Sequence, residues 1–129
     1  MRAGDLTVEV GQDAGGVIVI ICEGELDAAT VAELTTAVAW SMTADLRRLR
    51  IDATKLIFCD SAGLRCLLDA ALQCQHLGAR LDVAASDQLA NTLRLCGIPV
   101  AATGDGLLAD LTAALTDAVT TKVTRSQPA

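Results

Sequence analysis

Tyrosine is absent from this 129-residue chain, and phenylalanine, tryptophan and histidine occur once each. Without a row of aromatic faces there is no stacking platform for single-stranded nucleic acid. The core must then be aliphatic, because 52% of the residues are apolar and only 2% aromatic. Positive charge is also scarce: 10 Lys and Arg against 16 Asp and Glu leave a net charge of −6. That balance argues against a nucleic-acid partner, which needs a basic face to displace counterions. The strongest apolar run, Val17-Ile18-Val19-Ile20-Ile21-Cys22, falls far short of the roughly 20 residues that span a bilayer. Met1-Arg2-Ala3-Gly4-Asp5 has no apolar stretch behind its arginine, so no export signal is expected. The expectation is a cytoplasmic protein with no membrane partner, and the length suits a single domain.

Cysteine is not scarce, but its pattern excludes more than it supports. Cys22, Cys59, Cys66, Cys74 and Cys96 are odd in number, and no CxxC pair occurs among them. Neither a zinc site nor a disulfide framework follows. Set among apolar neighbours, they read as small hydrophobes.

Periodicity gives the order of elements. Residues 6–10 alternate apolar and polar, the turn residues Gln12-Asp13-Ala14-Gly15-Gly16 follow, and residues 17–22 run apolar and β-branched. This reads as a hairpin whose second strand is covered on both faces. Asp27 is a candidate N-cap for a helix reaching about Met42, after a turn holding Glu23 and Glu25. Residues 47–53 alternate as a strand that carries on through Leu56-Ile57-Phe58. The helix beginning near Ser61 presents Leu64, Leu67, Leu68, Ala71, Leu72 and Gln75 as one stripe, ended by Gly78. Residues 81–85 form a strand, and Ser86 or Asp87 caps a helix ended by Gly97. Ile98-Pro99-Val100 reads as a weak last strand and residues 106–121 as a fourth helix. The expected fold is α/β: one mixed sheet, hairpin plus parallel strands, packed with about four helices over residues 1–120. A flexible tail at 121–129 follows.

Enzyme signatures are missing. There is no phosphate-binding glycine loop, no base to complete a nucleophilic triad with Ser61, and His76 lies at a helix end. The segment that stands out is Phe58-Cys59-Asp60-Ser61-Ala62-Gly63-Leu64, which sets a serine where a central strand hands over to a helix. Ser61 there is either a plain cap for the next turn or an acceptor whose phosphate the helix amides would hold.

This segment resembles the signature of STAS domains, and in particular of stand-alone bacterial anti-sigma factor antagonists. Gly24-Glu25-Leu26-Asp27, Leu77-Gly78-Ala79-Arg80-Leu81 and Leu93-Arg94-Leu95-Cys96-Gly97-Ile98 are similar to the family's pattern in the same order. The resemblance covers nearly the whole chain. It implies a STAS-type domain that has no catalytic residue, metal or cofactor and binds an anti-sigma factor of the serine-kinase type. That kinase would phosphorylate Ser61 and block binding, and a serine phosphatase would reset the switch. The docking face implied comprises Gly24, Glu25, Leu26, Asp27, Asp60, Ala62, Gly63, Leu64 and Arg65. Cys59 stands where a bulkier aliphatic is usual and Ala62 where a second hydroxyl is common, which leaves one acceptor. Arg65, one turn beyond Ser61, is placed to meet a phosphate.

Three readings compete with this one. Thiol oxidation at Cys59 and Cys66 would make a redox-modulated module. Asp52 could serve as the acceptor of a receiver-like domain, although Glu23 and Glu25 stand in the wrong order of elements for that. A small hydrolase using Ser61 is the third.

Overall fold

The computed structural model describes residues 5–13, 15–104 and 106–115. Strands β1 (Leu6–Gln12) and β2 (Ile18–Leu26) pair antiparallel. Asp13 holds the turn between them, its carboxylate accepting from the amides of Gly15 (2.8 Å) and Val17 (3.1 Å). After α1 (Val31–Ser41), β3 (Arg48–Cys59) runs parallel to β2. After α2 (Ser61–His76), β4 (Arg80–Ala85) runs parallel to β3. Helix α3 (Asp87–Leu95) leads to β5 (Ala101–Thr103) and β6 (Gly106–Asp110), and the described part of a last helix, α4, is 111–115. The six strands make one mixed sheet in the order β1-β2-β3-β4-β6-β5.

The hairpin, the parallel centre and the mixed sheet match the expectation. Asp60 and Ser86 cap α2 and α3, their side chains accepting from the amides of Gly63 and Leu89. Gly78 and Gly97, with φ of 71° and 80°, end those helices in the left-handed conformation a glycine adopts without strain.

Four details differ. β2 continues through Glu23, Gly24 and Glu25 to Leu26 instead of turning there, at the cost of two register shifts against β3. It is also covered on one face only: Ile20 and Cys22 are buried while Ile21 between them is exposed. The buried stripe of α2 is Gly63, Cys66, Leu67, Ala70, Ala71 and Cys74, and Leu72 is exposed. Small side chains on either side of Leu67 let that helix lie close to the sheet, so Leu64, Leu68 and Leu72 stand outside the buried stripe. Finally, residues 106–110 are a strand, paired antiparallel with β4, and Ile98-Pro99-Val100 lies outside any strand. Asp110 then opens α4, its carboxylate accepting from the Ala113 amide (3.0 Å) and the Thr112 hydroxyl (2.7 Å). The remainder of the expected fourth helix and the expected tail at 121–129 lie outside the described residues.

The core is aliphatic, with Ile20, Leu49, Ile51, Leu67, Leu81 and Val83 fully buried. Each such side chain contributes about 1.5–3 kcal/mol relative to exposure. One charged group is buried among them. The Asp82 carboxylate accepts from Arg48 Nε (2.8 Å) and Arg80 Nε (2.9 Å), and Arg80 also reaches Asp110 at 3.1 Å. The Asp82 and Asp110 carboxylates beside it push the Arg80 guanidinium further up. Burial alone would raise Asp110, but the Ala113 amide, the Thr112 hydroxyl and Arg80 outweigh it and hold this carboxyl below its usual range.

Candidate functional site

The parallel pairing of β2 with β3 builds the site. Glu25 is level with Phe58 and Leu26 with Cys59, so both strands finish side by side at one sheet edge. The Asp60 amide then donates to the Leu26 carbonyl at 3.2 Å, tying the start of α2 to the end of β2. From Leu26 the chain enters a turn fixed by its own side chains. The Asp27 carboxylate accepts from the amides of Ala29 (2.9 Å) and Thr30 (3.1 Å), and the Thr30 hydroxyl donates to the Glu25 carbonyl (2.8 Å). Asp27 therefore caps a turn, and α1 begins beyond it at Val31. Thr30 is buried. It is the positioning residue that sequence reasoning missed; a threonine three places after an aspartate is its only signal.

At α2 the capping role belongs to Asp60. Its backbone is extended (φ −90°, ψ −172°) and its Oδ1 accepts from the Gly63 amide at 2.8 Å. Ser61 is the first helical residue and is exposed. Among the described residues its hydroxyl has no hydrogen-bond partner. The plain-cap reading of Ser61 thus gives way to Asp60, whose carboxylate reaches the third helical amide from the position just before the helix. The amides at the N-terminal end of the helix make a partial positive pole beside the Ser61 hydroxyl.

Gly63 fixes how close the helix comes. A Cβ there would lie 2.6 Å from the Leu26 carbonyl oxygen, 2.8 Å from Leu26 Cγ and 2.9 Å from Cys59 Sγ. Gly24, with φ of 117°, plays the corresponding part on the other side: a Cβ would run into the Asp5 carbonyl oxygen where β1 begins.

The structure brings together all the residues proposed for docking but divides them by exposure. Leu26 and Gly63 are buried and act as positioning groups. Glu25, Asp27, Asp60, Ala62 and Leu64 are half-buried, while Ser61 and Arg65 are exposed. Among the described residues Arg65 forms no ion pair, and it lies one turn past Ser61 on the same helix face.

The alternative chemistries find less support. Burial, with Asp60 and Cys66 adding to it, pushes the Cys59 thiol up to about 11. Burial raises Cys66 too, although a hydrogen bond with Thr35 partly offsets it. Both cysteines therefore stay as thiols at neutral pH, the unreactive form. Asp52 lies mid-strand and accepts from the Thr54 amide and hydroxyl (3.1 and 2.6 Å), well away from the sheet edge where Ser61 sits. No cluster of His, Cys, Asp and Glu among the described residues could hold a metal ion. Among them, too, no helix is long and apolar enough to cross a membrane.

A family profile described as "Mlab, STAS domain" matches residues 11–110. A search of curated protein sequences finds no match. Among solved structures the chain is similar to an anti-sigma factor antagonist from Mycobacterium paratuberculosis. That pair has a TM-score of 0.63 and 24% identity over 72% of this chain and 79% of that one. It is also similar to an antisigma-factor antagonist STAS domain from Rhodobacter sphaeroides (TM-score 0.52, 23% identity, 60% of this chain, 84% of that one). A third is the anti-sigma factor antagonist SpoIIAA in its unphosphorylated form (TM-score 0.58, 16% identity, 69% of this chain, 83% of that one).

Proposed function

The chain belongs to the STAS domain family, and from that footing we propose that it is an anti-sigma factor antagonist switched off by phosphorylation of Ser61. The unphosphorylated protein binds an anti-sigma factor that is also a serine kinase, and so frees a sigma factor. The kinase modifies Ser61, the complex dissociates, and a serine phosphatase restores the active form. The domain acts by binding and has no turnover of its own.

One observation carries this reading: an exposed serine hydroxyl with no partner of its own, at a helix start whose capping is already done by its neighbour. A phosphate at Ser61 gains the positive helix end and Arg65. It also adds roughly −1.5 to −2 charge beside Asp60, with Asp27 and Glu25 at the same edge. Because Gly63 is clamped against Leu26 and Cys59, the helix start has no room to shift inward. The signal is then a change of surface charge on a fixed shape. Ala62 leaves Ser61 as the one hydroxyl at the motif, which makes the test clean. Incubation with the purified anti-sigma factor kinase and ATP should place one phosphate on Ser61, located by peptide mass spectrometry. Ser61→Ala should take up none. Equal labelling of Ser61→Ala would overturn the assignment.

A further inference from the structure

Both aromatic side chains of this chain are on its surface: Trp40 is 81% exposed and Phe58 43%. Phe58 does not stand alone. Ile57 beside it is 67% exposed, and these are the only two exposed large hydrophobic residues that are adjacent in sequence among those described. The others, such as Leu95 at 88%, stand separately on other elements, and single exposed apolar residues need no special explanation.

The backbone accounts for Ile57. Gly24 of β2 is level with Leu56 and Glu25 with Phe58, so β3 spends one more residue than β2 over this stretch and Ile57 is the extra one. A bulge of this kind bends the strand and re-aims a side chain. Phe58 is held more firmly. With Leu56, Cys59, Ser86, Gln88, Leu89 and Thr92 it encloses a cleft at the start of α3, leaving its outer edge open. A side chain braced on one side and open on the other loses little entropy when a partner covers it, as is usual for an interface hot spot. The pair sits at the same sheet edge as Asp60 and Ser61, level with Glu25.

We propose that Ile57 and Phe58 are the apolar anchor of the docking face, fitting an apolar recess on the partner beside a group that hydrogen-bonds the Ser61 hydroxyl. This rests on the antagonist reading and adds the reason that phosphate blocks binding. A dianion three residues from Phe58 would have to shed its water against an apolar interface and next to the Asp60 carboxylate, which disfavours association. The anchor also accounts for the Ile57 side chain, which is 67% exposed.

The test uses the full chain and the purified anti-sigma factor, titrated calorimetrically against wild type, Ile57→Asp, Ser61→Glu and Leu95→Asp. Circular dichroism and melting temperature check that each variant is folded, and Ile57→Ala serves as the milder second variant. The expected result is at least about a tenfold loss of affinity for Ile57→Asp, with Leu95→Asp equal to wild type. If Ile57→Asp and Ile57→Ala bind as wild type while Ser61→Glu does not, the anchor is wrong and the switch stands. If wild type itself fails to bind, the antagonist reading falls and takes the anchor with it.

Discussion

Replacing Gly63 by alanine sets two effects against each other. In a helix interior the change should stabilise by about 1 kcal/mol through the lost backbone freedom of glycine. Here the new methyl meets the Leu26 carbonyl oxygen at 2.6 Å, Leu26 Cγ at 2.8 Å and Cys59 Sγ at 2.9 Å. The oxygen belongs to the backbone and already accepts from the Asp60 amide, so it cannot swing aside as a side-chain tip would. Overpacking of this kind costs about 1–3 kcal/mol. With three obstacles on different atoms the upper end applies, which leaves a net loss of about 2 kcal/mol. For a domain of this size that is a fall in Tm of roughly 8 °C, read by calorimetry or circular dichroism. Gly78→Ala is the comparison. No atom lies near its Cβ position, but its φ of 71° is left-handed, so about 1 kcal/mol is lost to backbone strain alone. A Gly63→Ala protein as stable as wild type, or more so, would refute the clamp between α2 and β2. With it would go the argument that phosphorylation acts on a fixed shape.

That fixed shape gives a second prediction: Ser61→Glu should alter stability by less than about 0.5 kcal/mol and leave the circular dichroism spectrum unchanged, whereas a large loss of Tm would mean that the residue is structural. Asp82→Asn should cost about 2–3 kcal/mol in urea unfolding, because a buried charge-assisted pairing with Arg48 and Arg80 is lost; a cost below about 0.5 kcal/mol would show the network to be idle. Asp110 has its folded pKa lowered, so its contribution is full above the ordinary carboxylate range and is lost as pH falls through the folded value. Asp110→Asn should therefore flatten the acid limb of the stability curve, and an unchanged limb would contradict the assignment. Burial, helped by Cys66 and Asp52, pushes the Cys22 thiol up to about 12, so its contribution is full below the ordinary thiol range and declines as pH rises toward 12. In a native thiol titration near pH 7.5 Cys96, the exposed cysteine, should react first; rapid reaction of Cys22 or Cys74 would contradict their burial.

Much of this fold is written locally. Asp13 with two glycines makes the hairpin, Asp60 and Ser86 announce their helices, and Gly78 and Gly97 end them. Features that depend on partners distant in sequence are harder to read. The stripe chosen for α2 followed its leucines, because hydrophobicity weights Leu68 and Leu72 above Gly63, Ala70 and Cys74. Packing against the sheet rewards the small residues instead. The glycines at 104 and 106 look like the approach to a helix until β4 supplies an open edge, and then Leu107, Leu108 and Ala109 are a strand. Glu23 and Glu25 look like a turn because their polarity hides a strand running past the core. At the site, the Asp60-Ser61 junction was legible from its residues and from the family pattern, whereas Asp27, read as the cap of the first helix, caps a turn that precedes Val31. The exposure of Ile57 was not. It arises from the register between β2 and β3, which no window of single sequence contains.

The central claim is that the state of Ser61 decides whether this domain binds its partner. The most direct test is the affinity of the purified anti-sigma factor for the unmodified chain and for the chain phosphorylated on Ser61, measured in the same buffer. The account predicts that phosphorylation weakens binding by at least about tenfold, or roughly 1.4 kcal/mol. Equal affinity for the two forms would contradict it.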